Sequence, residues 1–204
     1  MIKTIFWDFD GVILNSMKIK GDGFVELFKH YDKKYVDAIE KYHYAHGGVS
    51  RFDKIRYFYE KIIQKNIDEN EINFLADKFS NIIQKKLFNK ENLISDTIEF
   101  IQKHYKNYNF HIVSGAEHNE LNTLCKHFEI YGYFKTIDGS PTKKNILVKR
   151  ILEKYNYKPK ESVLIGDALS DYKAAEDNNI DFYGYNNPAL QKFKYIDSFR
   201  DFSL

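Results

Sequence analysis

Three short stretches of the chain are almost continuously apolar: TIFWDF at 4–9, FHIVSG at 110–115 and SVLIGD at 162–167. Each is rich in β-branched and aromatic residues, and each runs into glycine or aspartate. Unbroken apolarity, as opposed to alternation, is the mark of strands covered on both faces, as in a parallel sheet flanked by helices. Weaker strand patterns lie at Phe134 to Ile137 and Asp181 to Tyr185. Helical patterns alternate with these strands at 95–105, 117–128, 141–155 and 169–178. That order predicts a doubly wound α/β domain. Its ligands bind beyond the carboxyl ends of the strands, where the polar residues of the three best strands cluster.

Between about 16 and 90 the pattern changes. GFVELFKHYD, VDAIEKYHYA, SRFDKIRYFYEKIIQK and ENEINFLADKFSNIIQKKL follow one another with helical spacing and no good strand between them. The expected organisation is therefore a core built from 1–15 and 91–204, with a helical insertion over 16–90. The break HGGVSRFD (46–53) is its least helical stretch. Two glycines stop one helix there, and Ser50 with Asp53 three residues on has the form of a capping box that starts the next.

Composition narrows this picture. The chain has 204 residues, 43% of them hydrophobic, enough for one cored domain with a sizeable insert. Lys plus Arg number 31 against 29 Asp plus Glu, a net charge of +2. That balance argues against nucleic-acid and membrane-surface partners. The single cysteine, Cys125, has no internal partner and reads as a buried helical thiol. His43 and His46 share a helical spacing but have no cysteine or acidic set around them, so zinc is not expected. The N-terminal apolar run is short and interrupted by Trp7-Asp8, unlike a secretory signal. No apolar run approaches the roughly 20 residues that span a bilayer. These features point to a cytoplasmic protein.

The chemistry-bearing residues sit at strand ends. Asp8 and Asp10 are two apart, so on a strand both face one pocket while Phe9 turns into the core. Gly11 then permits a tight exit. Neighbouring carboxylates repel and need a cation or a shared proton, and a hard oxygen-loving ion such as Mg²⁺ fits them. In VSGAEHNEL, Ser114 and the Gly115 amide are expected at a strand-to-helix junction, where a hydroxyl, an N–H and a helix N-terminus hold phosphate. In GSPTKKNILVKRIL, Ser140 is expected as N-cap and Pro141 as first helical residue. That puts Lys143 and Lys144 in the first turn, against the helix dipole unless an anion is bound. In VLIGDALSD, Asp167 ends a strand. Asp171, four residues on, approaches the same metal or braces the helix.

In order and placement these residues resemble the haloacid-dehalogenase-like superfamily, over essentially the whole chain. DFDGV is similar to its first motif, Ser114 to the second, Lys144 or Lys143 to the third and GDALSD to the fourth. The insertion is similar to the helical cap of the phosphoglycolate-phosphatase-like branch. The resemblance implies a doubly wound, Rossmann-like core and a Mg²⁺-dependent phosphomonoesterase. Asp8 would be the nucleophile that becomes an aspartyl-phosphate. Asp10 would protonate the leaving alcohol and then activate water, with carboxylate crowding raising its pKa to suit. Asp8, the backbone carbonyl of Asp10, and Asp167 would hold Mg²⁺, supported by Asp171. Ser114, Gly115 and a lysine would hold the phosphoryl oxygens. Asp10 points to phosphatase or phosphomutase activity over dehalogenation. The substrate implied is a small phosphorylated metabolite, such as a sugar or polyol phosphate. A β-phosphoglucomutase-like enzyme and a non-catalytic relative are the alternatives. HGGVSRFDK is expected to face the site, with Gly48 and Ser50 near the substrate and Arg51 offering a bidentate donor to it. A monomer or a homodimer is expected.

Overall fold

A computed structural model describes residues 1–202. Six strands form one parallel sheet: β1 (Thr4–Trp7), β2 (Asn109–Glu117), β3 (Thr136–Ser140), β4 (Ser162–Gly166), β5 (Asp181–Tyr185) and β6 (Tyr195–Ile196). Their order is β3-β2-β1-β4-β5-β6. The chain winds outward from β1 in both directions, so the strand order reverses beside β1, the place where doubly wound sheets bind ligands.

The continuous apolar runs have the cause anticipated. In β1, Ile5 and Trp7 enter one core while Phe6 enters the other; in β4, Val163 and Ile165 go one way and Leu164 the other. All six are fully buried. Trp7 is packed by Phe100, Phe110 and Phe199, with ring centroids 5.4–5.9 Å away. The helices covering the sheet are α5 (Ser95–His104), α6 (His118–His127), α7 (Lys144–Lys154) and α8 (Leu169–Asp177). Cys125 lies buried in α6 as a free thiol.

Between β1 and α5 come α1 (Met17–Phe28), α2 (Lys33–Ala45), α3 (Arg51–Tyr57) and α4 (Glu69–Leu87), with no strand among them. Their apolar faces meet around Phe24, Phe28, Phe58 and Phe79; Phe28 stacks on Phe58 at 3.8 Å and Phe24 lies 4.4 Å from Phe79. The segments that lead into and out of this region pair antiparallel through Leu14 and Leu93. Asn15 N–H donates to the Asn92 carbonyl at 2.7 Å, and Ile94 N–H to the Ile13 carbonyl at 2.9 Å. No helix among the described residues is long and apolar enough to cross a membrane.

Three local expectations are corrected, and one short strand is added. The helix expected from Ser140 starts three residues later. Ser140 closes β3, its hydroxyl donating to the Ala116 carbonyl at 3.0 Å, and the backbone of Lys143 is the N-cap. The third strand runs Thr136–Ser140, later than the apolar pattern suggested. The helix of SRFDKIRYFYEKIIQK passes into a π-helical turn at Phe58–Ile62. The short β6 had no readable pattern. Ser50 does cap α3: its hydroxyl accepts from Asp53 N–H at 3.1 Å, but it donates to the Asp53 carboxylate at 2.7 Å in place of the backbone arm of a capping box.

Candidate active site

Asp8 follows directly on β1, where its N–H donates to the Ile165 carbonyl at 2.9 Å. The peptide is thus held as an extension of the sheet, and the side chain emerges at the carboxyl edge. One carboxylate oxygen, Oδ1, accepts from Phe9 N–H at 2.7 Å and pairs with Lys144 Nζ at 2.8 Å. The other, Oδ2, is buried without a hydrogen-bond partner, as is Oδ1 of Asp167. Trp7 pairs with Ile112 and Ile165 in register, so Ser114 and Asp167 each lie two residues beyond it on the adjacent strands. Gly11 turns the chain away at φ +78°, and a Cβ there would overlap the Asp167 carboxylate. Asn187 fixes this corner, donating to the Asp167 carbonyl at 2.6 Å.

Oxygens of Asp8, Asp167 and Asp171 lie within 4.8 Å of one another. Three buried carboxylates so close disfavour full ionisation. Burial first, and the Asp171 charge second, raise Asp8 to about 7, with Lys144 pulling back only in part. Burial and the charges of Asp8 and Asp171 push Asp167 well up. Two donor-free oxygens inside an anionic cluster are what a hard divalent cation relieves, so the residues present fit Mg²⁺. Asp171 also has a structural use: its Oδ2 accepts from Ala168 N–H at 3.0 Å, starting α8.

Lys144, and not the exposed Lys143, reaches the cluster. It is the first residue of α7, and its ammonium bridges Asp8 and Asp171. Burial opposes that charge, but the two carboxylates outweigh it and raise the lysine's pKa. The dipole conflict expected from sequence is thus met by the protein's own carboxylates.

Ser114 is buried, its hydroxyl accepting from Ala116 N–H at 3.1 Å. It does not stand at a helix start. β2 continues past it, with a register irregularity between Val113 and Glu117. The N-terminus of α6 is closed by Glu117, whose carboxylate accepts from Asn119 and Glu120 N–H at 3.0 and 2.8 Å. The expected helix N-terminus for phosphate is therefore already occupied.

Asp10 corrects a second expectation. Carboxylate crowding does not raise its pKa. Burial works against its charge, but Lys20 and the hydrogen bond from Ser16 overcome burial and lower it. Lys20 Nζ pairs with Oδ2, and Ser16 Oγ donates to Oδ1 at 2.5 Å. Ser16 and Lys20 are four apart at the start of α1 and share a face. That spacing was the available signal, and sequence reasoning missed it.

The loop before α3 lies against this edge. The Gly48 carbonyl sits where a Cβ on Gly115 would be, and Gly48 itself has φ +73°. Ser170 Oγ donates to the Gly47 carbonyl at 2.9 Å. A small cavity of about 30 Å³ lies here, lined among others by Asp10, Lys20, His43, Arg51 and Lys54. A larger cleft of about 270 Å³ adjoins it, lined in part by Gly48, Ser50, Gly115, Ser140 and Lys144. Arg51 does line the smaller cavity, but its guanidinium pairs with Glu120 of α6 and donates to Ser80 of α4. Glu120, His43 and Lys54 were not found from sequence, because their partners are distant in the chain.

No curated protein sequence matches the chain. Among solved structures, β-phosphoglucomutase from Clostridium difficile superposes with a TM-score of 0.78 at 19% identity, over 100% of this chain and 94% of that one. CbbY from Rhodobacter sphaeroides, in complex with xylulose-(1,5)-bisphosphate, gives 0.76 at 16% identity over 98% and 96%. A protein described as a predicted phosphoglycolate phosphatase from Haemophilus somnus gives 0.74 at 17% over 98% and 96%. These identities establish a shared fold. The sequence profile described as "Haloacid dehalogenase-like hydrolase" matches residues 5–185, from the first strand to the fifth. Carrying that profile across nearly its whole length, on the sheet just described, the chain belongs to the haloacid dehalogenase-like hydrolase family.

Proposed function

We propose that the protein is a phosphomonoesterase that hydrolyses a small phosphorylated metabolite through a phosphorylated Asp8. The observation that carries this reading is the buried cluster at the sheet edge. There, Asp8 and Asp167 each keep one carboxylate oxygen free of donors, while Lys144 holds the other Asp8 oxygen. Asp8, Asp167 and the backbone carbonyl of Asp10 would hold Mg²⁺, with Asp171 supporting. The bound cation supplies charge neutralisation for an anionic nucleophile approaching an anionic phosphate.

The Asp8 carboxylate attacks phosphorus as the bond to the leaving oxygen breaks, and Asp10 gives that oxygen its proton. Asp10 then takes a proton from the water that attacks the aspartyl-phosphate, releasing phosphate and freeing Asp8. Dividing the reaction this way replaces one hard displacement with two easier ones. With Lys20 and Ser16 on it, Asp10 rests in its basic form, ready for the water step. A phosphate dianion arriving beside it favours the protonated form that the alcohol step needs. Lys144, Ser114 and the Gly115 N–H hold the phosphoryl oxygens. The helical region 16–90 acts as a cap over this site. The Gly47–Gly48 loop closes on the core and Ser50 orders the start of α3 beside it, excluding water during transfer.

The test is phosphate release from p-nitrophenyl phosphate with Mg²⁺, with chelator, and in Asp8→Asn. Release should require the metal and fall at least about 10³-fold in the variant. Full activity in Asp8→Asn would overturn the mechanism. Transfer to a sugar phosphate without net phosphate release would instead identify a phosphomutase.

A further inference from the structure

Three cations line the small cavity between the helical region and the core, and Lys54 alone has no carboxylate within ion-pair distance among the described residues. Lys20 is paired with Asp10, and Arg51 with Glu120. Lys54, three residues after Arg51 on the same face of α3, forms no ion pair among the described residues. Lys54 as a whole is 3% exposed. Among the described residues its ammonium has one hydrogen-bond partner, His43, with Lys54 Nζ 3.0 Å from Nδ1.

The chemistry of that partner is fixed by its other side. His43 Nε2 lies 2.9 Å from the Met17 carbonyl, which can only accept, so Nε2 carries the ring proton. Nδ1 is then the acceptor for Lys54. Burial and the Lys54 charge lower His43 to about 3, so the ring is neutral. Lys54 therefore spends one N–H on a neutral imidazole and keeps two for the cavity. An uncompensated buried charge is costly. Burial, with the Lys20 charge next, accordingly lowers the lysine to about 7. The ammonium lies over the Phe24 ring, 5.9 Å from its centroid.

We infer that Lys54, presented by His43, is the recognition group for a second anionic substituent on the leaving alcohol. The substrate would carry a carboxylate or a further phosphate besides the phosphoryl group transferred at Asp8. The inference rests on the proposed phosphatase reading. It assigns this role to Lys54 in place of Arg51, whose charge is already matched by Glu120. Lys54 would be a specificity residue, touching the part of the substrate that does not react.

Calorimetric titration tests this without turnover. The probes are three phosphonates with Mg²⁺ present: 3-phosphonopropionate, propane-1,3-bisphosphonate and propylphosphonate. The wild type should bind at least one of the two anion-ended probes about tenfold or more tighter than propylphosphonate. Which one it prefers distinguishes carboxylate from phosphate. Lys54→Met should lose that preference while keeping its affinity for propylphosphonate within about threefold. It should unfold at or above the wild-type temperature, since an unbalanced charge has been replaced by an apolar chain of similar shape. Equal binding of all three probes by the wild type overturns the inference and leaves the phosphate site standing. So does an undiminished preference in Lys54→Met, and so does a Lys54→Met chain that fails to fold, which would make the ammonium structural. Binding of none of the three strikes at the phosphate site itself, and the inference falls with it.

Discussion

Asp10 shows how far one side chain depends on partners that are distant in sequence. From the chain alone its neighbours were Asp8 and Gly11, and repulsion was the natural expectation. In the fold, Ser16 and Lys20 arrive from the first turn of α1 and hold it as a carboxylate. The pairing of Asp8 with Asp10 was legible because it needs only the two-residue repeat of a strand. The contacts of Lys54 with His43, and of Arg51 with Glu120, span 11 and 69 residues and belong to no local repeat. The assigned role of Asp10 has a kinetic signature. p-Nitrophenolate leaves without a proton, so Asp10→Asn should still phosphorylate Asp8 with this substrate and then stall for want of a base. A burst of about one nitrophenolate per protein is expected, followed by turnover lowered about 10²–10⁴-fold. Slow turnover without a burst would count against Asp10 as the base of the second step.

Among the elements, α3 and its preceding loop join the insertion to the sheet. The Ser50 N-cap of α3, with Asp53 three residues on, was readable because it is a four-residue signal. The start of α7 was misplaced because β3 runs through Ser140, whereas α6 begins within one residue of its helical pattern; only the strand-to-helix junction expected at Ser114-Gly115 was early, because β2 continues to Glu117. Ser114-Gly115 and Ser140-Pro141 both have turn chemistry, yet pairing along the sheet edge overrode it. Arg51 of α3 ties the insertion to α6 through Glu120, with side chains 4% and 10% exposed. Breaking one member of such a pair strands the other. Arg51→Met alone should therefore cost about 3–5 kcal/mol in urea unfolding. Arg51→Met combined with Glu120→Gln should recover part of that loss, giving a coupling of about 1 kcal/mol or more in a double-mutant cycle. Strictly additive costs would show that the pair does not couple the two regions.

At the scale of the molecule, the sheet places every sequence-identified acid along one edge, and that much was legible. The three apolar runs gave the central strands, and their polar ends marked the ligand edge of a doubly wound sheet. The closure was not legible. The cavity beside Asp10 measures about 30 Å³, room for about one water. A leaving group larger than that needs more room, which a shift of the helical region from the core would supply. The paired segments at Ile13–Asn15 and 92–94 are the places where that motion would turn. Whatever the extent of that motion, the proposed mechanism turns on Asp8 itself accepting the phosphoryl group. Acid quenching during turnover of acetyl phosphate with Mg²⁺, followed by mass spectrometry of the peptide bearing Asp8, reads that step directly. One phosphoryl group is expected on Asp8 in the wild type, more of it in Asp10→Asn, and none in Asp8→Asn. Phosphate release from an Asp8→Asn protein, with the Asp8 peptide of the wild type unmodified throughout turnover, would contradict it.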